Sequence, residues 1–398
     1  MAILFITVLI DLIGFGLVIP ILPFLAPQVG ASNFDIALII AIYSVCAGLF
    51  SPFWGKLSDR IGRKPVILIC LVGASLSYLF LAYATQLWML YATRAFGGVM
   101  AGNFGVASAM IGDITAPKDR AKRMGMIGSA FGLGMVIGPF MGGVLAGDSN
   151  DFIVPCLVAS AMSMLAVVAG GLFLQESLDP EKRSQHAALR AQHGNASAWR
   201  SVHRCGNSGL ILQYLLHSMA IASVTYLFPL WVAAMLGWGA KEVGMVFGIQ
   251  GLAMAALQGI FIGRLATRFG ELNLLLFGSI TMTLSFCVIS QAQTDWLMVL
   301  SFFTLITGAT CCTPILNSVT SKRSPPHLLG QTMGLASAMG AWGRSLSPVL
   351  AGILLLYTDY ALAWLAGCIF SGLMVSWVIC QMKKPVPPTD EIAPSTGH

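Results

Sequence analysis

Twelve apolar stretches follow one another along the chain, each close to the ~20 residues needed to cross a bilayer as a helix. They cover roughly 3–26, 36–55, 65–84, 87–111, 124–147, 152–175, 208–235, 242–263, 272–291, 295–318, 331–356 and 360–382. The segment 176–207 breaks the pattern, with five Lys/Arg, three acidic residues and three His. After Lys384 the chain carries Pro385, Pro387, Pro388 and Pro394. This pattern predicts an all-α polytopic membrane protein with a six-helix bundle over 1–175 and a linker over 176–207. A second six-helix bundle then covers 208–382, and a disordered tail covers 383–398.

The two halves repeat. Gly55-Lys-Leu-Ser-Asp-Arg-Ile-Gly62 after the second span aligns with Gly263-Arg-Leu-Ala-Thr-Arg-Phe-Gly270 after the eighth, at an offset of 208. Gly134 to Gly143 in the fifth span aligns with Gly343 to Gly352 in the eleventh, and Pro20 with Pro229, both at 209. Matched halves related by an axis along the membrane normal, with a site between them, are a transporter architecture.

Composition agrees with lipid as the solvent: 57% of the 398 residues are hydrophobic and 10% charged, with mean hydropathy +0.81, against about 25% charged in soluble domains. The net charge of +6 does not point to nucleic acid, because its placement follows the spans. Nineteen of the 22 Lys and Arg fall on one side: loops 2–3, 4–5, 8–9 and 10–11, the linker and the tail. That asymmetry predicts cytoplasmic termini in an inner, cytoplasmic membrane. The N-terminus lacks a basic n-region and reads as a first span rather than a signal peptide. The cysteines lie mostly within apolar runs and form neither a CxxC pair nor a zinc spacing. His186, His193 and His203 also lack metal spacing. No phosphate-binding loop and no nucleophile–base motif occurs, so neither ATP hydrolysis nor another enzyme activity is expected. No cofactor and no metal are implied.

Three segments resemble one family. Gly55-x-x-x-Asp59-Arg60-x-Gly62-Arg63-Lys64-Pro65 is similar to the signature loop of the major facilitator superfamily. Gly125-x8-Gly134-x3-Gly138-Pro139-x2-Gly142-Gly143 resembles the motif shared by its drug:proton antiporters. Asp11-Leu-Ile-Gly14-Phe-Gly16-Leu-Val-Ile-Pro20-Ile-Leu-Pro23 is similar to the opening of the twelve-span branch that includes tetracycline exporters. The resemblance covers the whole chain in order and spacing, and implies the major facilitator fold with twelve helices.

Each motif has its own physics. Gly55 and Gly62 permit a tight turn and close helix approach. Asp59 can accept from backbone N–H groups at a helix end. Asp113 lies on the same side as Arg60 and Arg63 and can pair with either, forming a conformational latch or a static anchor. In span 5, glycines four apart allow helices to approach, and Pro139 bends the helix. The resemblance implies that Gly134, Gly138, Pro139, Gly142 and Gly143 govern bundle closure and resist proton leak. In the second half Thr267 replaces Asp59 and Glu271 replaces Arg63, which predicts a weaker latch there.

A charge at the bilayer centre costs at least ~2.5–3.5 kcal/mol, so charged or titratable groups inside spans read as functional. Asp11 lies about 12 Å from the basic end of span 1, and Arg94 about 10 Å from the opposite end of span 4, at ~1.5 Å per residue. In a ~30 Å core an arginine can bridge the remaining depth. Asp11 is the candidate proton carboxylate, with Arg94 and His217 as coupling partners. Arg344 is the candidate for an anionic cargo group or an acidic partner. Asn103, Gln213, Gln250 and Asn317 are polar candidates for a cavity, and Tyr43, Phe131, Tyr226, Phe228 and Trp231 for an apolar lining. Helix packing is the alternative for each.

These readings converge on a proton-coupled exporter of a small organic molecule, working by alternating access as a monomer in the bilayer. Tetracycline fits poorly as cargo. The acidic residue of those exporters in span 3 is Ser77 in Gly73-Ala-Ser-Leu-Ser77-Tyr78, and no acid lies between Leu272 and Gln291. Another drug or a metabolite such as a siderophore is preferred. The rivals are a metabolite importer or uniporter of the same fold, against which the span 5 motif counts, and a non-transporting membrane receptor or scaffold.

Overall fold

The computed structural model describes residues 2–115, 117–147, 151–178, 207–292, 294–323 and 329–382. The predicted tail lies outside the described residues, as does the linker apart from 176–178 and 207.

All twelve apolar runs are helical. Span 1 is α1 (Ala2–Val18), a 3₁₀ turn at Ile19–Ile21 and α2 (Leu22–Gln28), with Pro20 and Pro23 at the interruption, where they withhold backbone donors. Then come α3 (Asn33–Ile61), α4 (Arg63–Ala82), α5 (Leu87–Val99), α6 (Asn103–Ile114), α7 (Pro117–Ala146) and α8 (Ile153–Phe173). In the second half follow α9 (Ser208–Leu236), α10 (Ala240–Ala256), a π turn at Leu257–Ile262 and α11 (Gly263–Phe269). The series ends with α12 (Glu271–Ser290), α13 (Asp295–Arg323), α14 (Leu329–Tyr357) and α15 (Tyr360–Met382). Ten of the helical spans are long and apolar enough to cross a membrane, and α7 adds the shorter apolar stretch Gly132–Ala146. Several helices outrun their apolar runs: α3 continues to Ile61 and α13 to Arg323. Hydropathy reports the length in lipid, whereas backbone hydrogen bonding continues into polar sequence.

The fourth span is broken, which the hydropathy pattern did not show. Between α5 and α6 the chain loosens over Met100–Gly102. The Trp54 indole N–H donates to the Val99 carbonyl, satisfying an acceptor at the end of α5. Asn103 thereby becomes the first residue of α6.

The chain divides into two compact units. The first comprises Met1–Asn195, Ala222–Ala255 and Arg344–Ala363, and so includes parts of both sequence halves. The second comprises Ala196–Ile221, Ala256–Gly343 and Trp364–His398. In the first, α1 packs mainly against α7 and α8, and α4 against α8. Leu4, Val8, Leu12, Val66, Ile67 and Val106 form its core. In the second, α12 lies along α13, with Gly278 and Gly308 facing each other's carbonyls, and Gly343 packs against Leu215 and Ser218 of α9.

The span 5 glycines work as two rails. Gly134 meets Leu12, Gly138 meets Ile13 and Gly16, and Gly142 meets Leu17, all on α1. Gly143 instead lies against Ala240 and Gly244 of α10. A methyl group at Gly138 would sit 2.7 Å from the Gly16 backbone, whereas one at Gly132 would meet nothing within 4 Å. Gly138→Ala should therefore destabilise the protein by about 1–3 kcal/mol through overpacking, and Gly132→Ala should be neutral or slightly stabilising. Thermal unfolding of the two variants in detergent measures the difference.

Candidate functional site

Asp11 lies buried on the face of α1 that meets α8, where Gly14 sits against the Ala159 carbonyl. Its Oδ1 accepts from Ser163 Oγ at 3.2 Å on α8, and its Oδ2 from Asn103 Nδ2 at the start of α6. The break in span 4 is what delivers Asn103. Ser163 was not singled out from the sequence, since one serine in an apolar helix carries no signal until the helix it faces is known.

The expected bridge from Arg94 to Asp11 is not formed. Arg94 is 3% exposed, and its guanidinium lies 5.8 Å from the Tyr43 ring centroid and 5.7 Å from that of Tyr78. Its Nε and Nη2 have no hydrogen-bond partner among the described residues. Two aromatic faces attract the cation, while neutral donors already serve both carboxylate oxygens. Tyr43 joins the two places. Its ring lies 5.3 Å from that of Phe15, one turn beyond Asp11, and its carbonyl meets Gly98, one turn beyond Arg94. Its hydroxyl feels the charges of Asp11, Arg94 and Arg344. Arg344 is exposed, with no hydrogen bond or ion pair to the described residues. Gln250 is half-buried in the same unit.

The other candidates separate into different settings. Tyr226, Phe228 and Trp231 are packed at 1%, 0% and 5% exposure, so in this conformation they line no open pocket. Tyr226 donates to the Asn33 carbonyl at 2.6 Å, and Phe228 stacks on Phe247 at 5.9 Å. The side chain of Phe131 lies outside the described residues. The second unit holds its own polar cluster. His217 Nε2 pairs with Thr313 Oγ1 at 2.8 Å, and Tyr214 donates to Asn317 Oδ1 at 2.8 Å. Gln213, one turn from His217, is 1% exposed, and among the described residues neither its amide atoms nor His217 Nδ1 have a hydrogen-bond partner.

At the basic end of the first unit, Gly62 turns the chain from α3 to α4 with φ 112°, a conformation that favours glycine. Gly55 makes no close helix approach, since a side chain there would meet nothing within 4 Å. Arg63 is the residue that pairs: it contacts Asp59 at 2.8 Å and Asp113 at 3.0 Å and donates to Ser58 Oγ at 2.6 Å. Arg60 is exposed and takes no part. Glu176 caps the start of α4, accepting from the N–H groups of Arg63 (2.9 Å) and Lys64 (3.1 Å), and its neighbour Ser177 donates to Asp113 at 3.2 Å. A carboxylate at a helix N-terminus is favoured by the dipole. Sequence reasoning assigned Glu176 to the linker, because it follows the last apolar residue of span 6.

The repeat is carried into geometry with its charges reversed. Gly270 turns from α11 to α12 with φ 85° as Gly62 does. Glu271, 208 residues after Arg63, pairs with Lys322, 209 after Asp113, at 2.7 Å. The superfamily's sequence model, described as Major Facilitator Superfamily, matches residues 4–348 and again 210–397. The chain belongs to the Major Facilitator Superfamily. It is a multi-pass membrane transporter and not an enzyme. Its relatives include the class C tetracycline resistance protein of Escherichia coli, 31% identical over 91% of both chains. Multidrug resistance protein 2 of Bacillus subtilis (strain 168) is 27% identical over 87% of this chain and 86% of its own. The fold is similar to that of the human organic anion transporter TETRAN, at TM-score 0.73 and 23% identity, over 95% of this chain and 98% of that one.

In this superfamily member the two ion pairs differ in burial. The Asp113 side chain is 11% exposed and Lys322 67%. Asp113→Ala takes one of two carboxylates from a buried guanidinium that keeps Asp59 and should cost about 1.5–3 kcal/mol, whereas Lys322→Ala should cost less than about 1 kcal/mol. Denaturation midpoints of the two variants in one detergent check the order.

Proposed function

We propose that this transporter is a proton-coupled antiporter that exports a small drug-like organic molecule or metabolite by alternating access. The observation that carries the reading is Asp11, a carboxylate buried among lipid-length helices with neutral donors on both oxygens. A site that can lose or gain a proton without breaking an ion pair suits reversible loading. Asp11 takes a proton from the outer side, and cargo arriving from the cytoplasm drives that proton off. The two six-span bundles, 1–175 and 208–382, rock about the site, and an inward proton gradient drives efflux. Its relatives named as tetracycline and multidrug resistance proteins support export.

The basic loops support termini in the cytoplasm, with the protein acting as a monomer in the inner membrane. The Arg63 network latches the cytoplasmic end. At the other end, within the first unit, Gly143 packs on Gly244, Gly352 on Ala37, and Tyr226 holds Asn33, supporting closure on the outer side in this conformer. Tetracycline is not the proposed cargo, since Ser77 replaces the acid of those exporters and spends its hydroxyl on the Thr93 carbonyl at 2.8 Å.

Substrate-driven proton movement in proteoliposomes tests the reading. Asp11→Asn should abolish cargo-dependent proton flux while the protein still folds and inserts. Equal flux in the two proteins would remove Asp11 from coupling.

A further inference from the structure

We infer that the cargo is zwitterionic, bearing a basic amine together with a carboxylate or similar acid. This rests on the antiport reading and deepens it. In a low-dielectric interior, opposite charges attract strongly and buried charges are ordinarily paired. Here they are held apart. The Asp11 oxygens are occupied by the neutral side chains Asn103 and Ser163. Among the described residues the buried Arg94 has no acceptor for Nε and Nη2, and the exposed Arg344 has no ion-pair partner.

These groups share one neighbourhood in the first unit. Tyr43 packs between α1 and α5, touching the turn beyond Asp11 and the turn beyond Arg94. Gly352 of α14 contacts Ala37 of α3. From that contact Tyr43 lies six residues along α3, about 9 Å, and Arg344 eight residues back along α14, about 12 Å, at ~1.5 Å per residue. Arg344 thus lies within about 3 Å of the depth of Tyr43 in the same unit, and its charge acts on the Tyr43 hydroxyl.

The separated charges select the ligand. A simple cation meets Asp11 but is repelled by two guanidinium groups. A simple anion meets the arginines but faces Asp11, and it binds best when Asp11 is protonated. That would carry proton and cargo in the same direction, contrary to exchange. A zwitterion answers both poles: its ammonium competes with the proton at Asp11, and its acid group takes the free donors of Arg344 and Arg94. Exchange then follows from charge alone.

The test uses the full chain in proteoliposomes and one aryl-piperazine carboxylic acid in three forms. The free amino acid is the zwitterion, its methyl ester the cation and its N-acetyl derivative the anion. Wild type should prefer the zwitterion over the ester by about tenfold or more in kcat/KM, the scale of one hydrogen bond to a charged group. Arg344→Gln should reduce that ratio to near twofold, and Arg344→Lys should keep most of it, a contrast that a general folding defect would not produce. Equal transport of acid and ester, an undiminished ratio in Arg344→Gln, or transport of none of the three overturns the assignment. Proton movement driven by the ester without preference for the acid removes this cargo but leaves antiport standing. Absence of proton movement with every form removes antiport itself.

Discussion

A carboxylate kept among lipid-length helices without a cation beside it is the constraint from which the rest of this structure follows. Among the described residues Asp11 has Asn103 and Ser163 to replace water, and each partner depends on a separate structural choice. Asn103 reaches it because span 4 breaks at Met100–Gly102, a break made tolerable by Trp54 donating to the Val99 carbonyl. Ser163 reaches it because α8 lies close to α1 at Gly14. On another face of α1, the glycine rail of α7 allows near backbone contact. Packing leaves Asp11 6% exposed, and the two neutral donors solvate it without fixing its charge.

The same logic explains where the strong ion pairs are. Arg63, Asp59 and Asp113 form a network at the basic end, away from Asp11, and Glu176 ties the start of α4 into it. The second unit repeats the turn and the pair with reversed signs, Glu271 on Lys322, but leaves Lys322 largely exposed. Duplication preserved the geometry, while the energetic weight passed to one copy.

Much of the fold was legible in the sequence, because lipid imposes a length and an apolar character that every span must meet. The repeat was legible too: Gly62 and Gly270, aligned by sequence, both adopt positive φ. What hydropathy missed were features internal to a span. The break before Asn103 lies in sequence as apolar as its flanks, and helices such as α13 continue past the membrane-like run. At the site, Asp11, Asn103, Tyr43, Arg94 and Arg344 were each visible as polar or aromatic residues in apolar runs. Their pairing was not, because depth along a helix says nothing of azimuth. Arg94 thus faces two tyrosine rings rather than Asp11. Ser163 and Glu176 had no signal, one being a common small residue and the other standing just past a span.

The central claim is that Asp11 gives up a proton when cargo binds. The direct measurement is proton release from purified protein in weakly buffered detergent solution on addition of a transported compound. The account predicts stoichiometric release from wild type and none from Asp11→Asn at saturating cargo. Release of the same size from both proteins would contradict it.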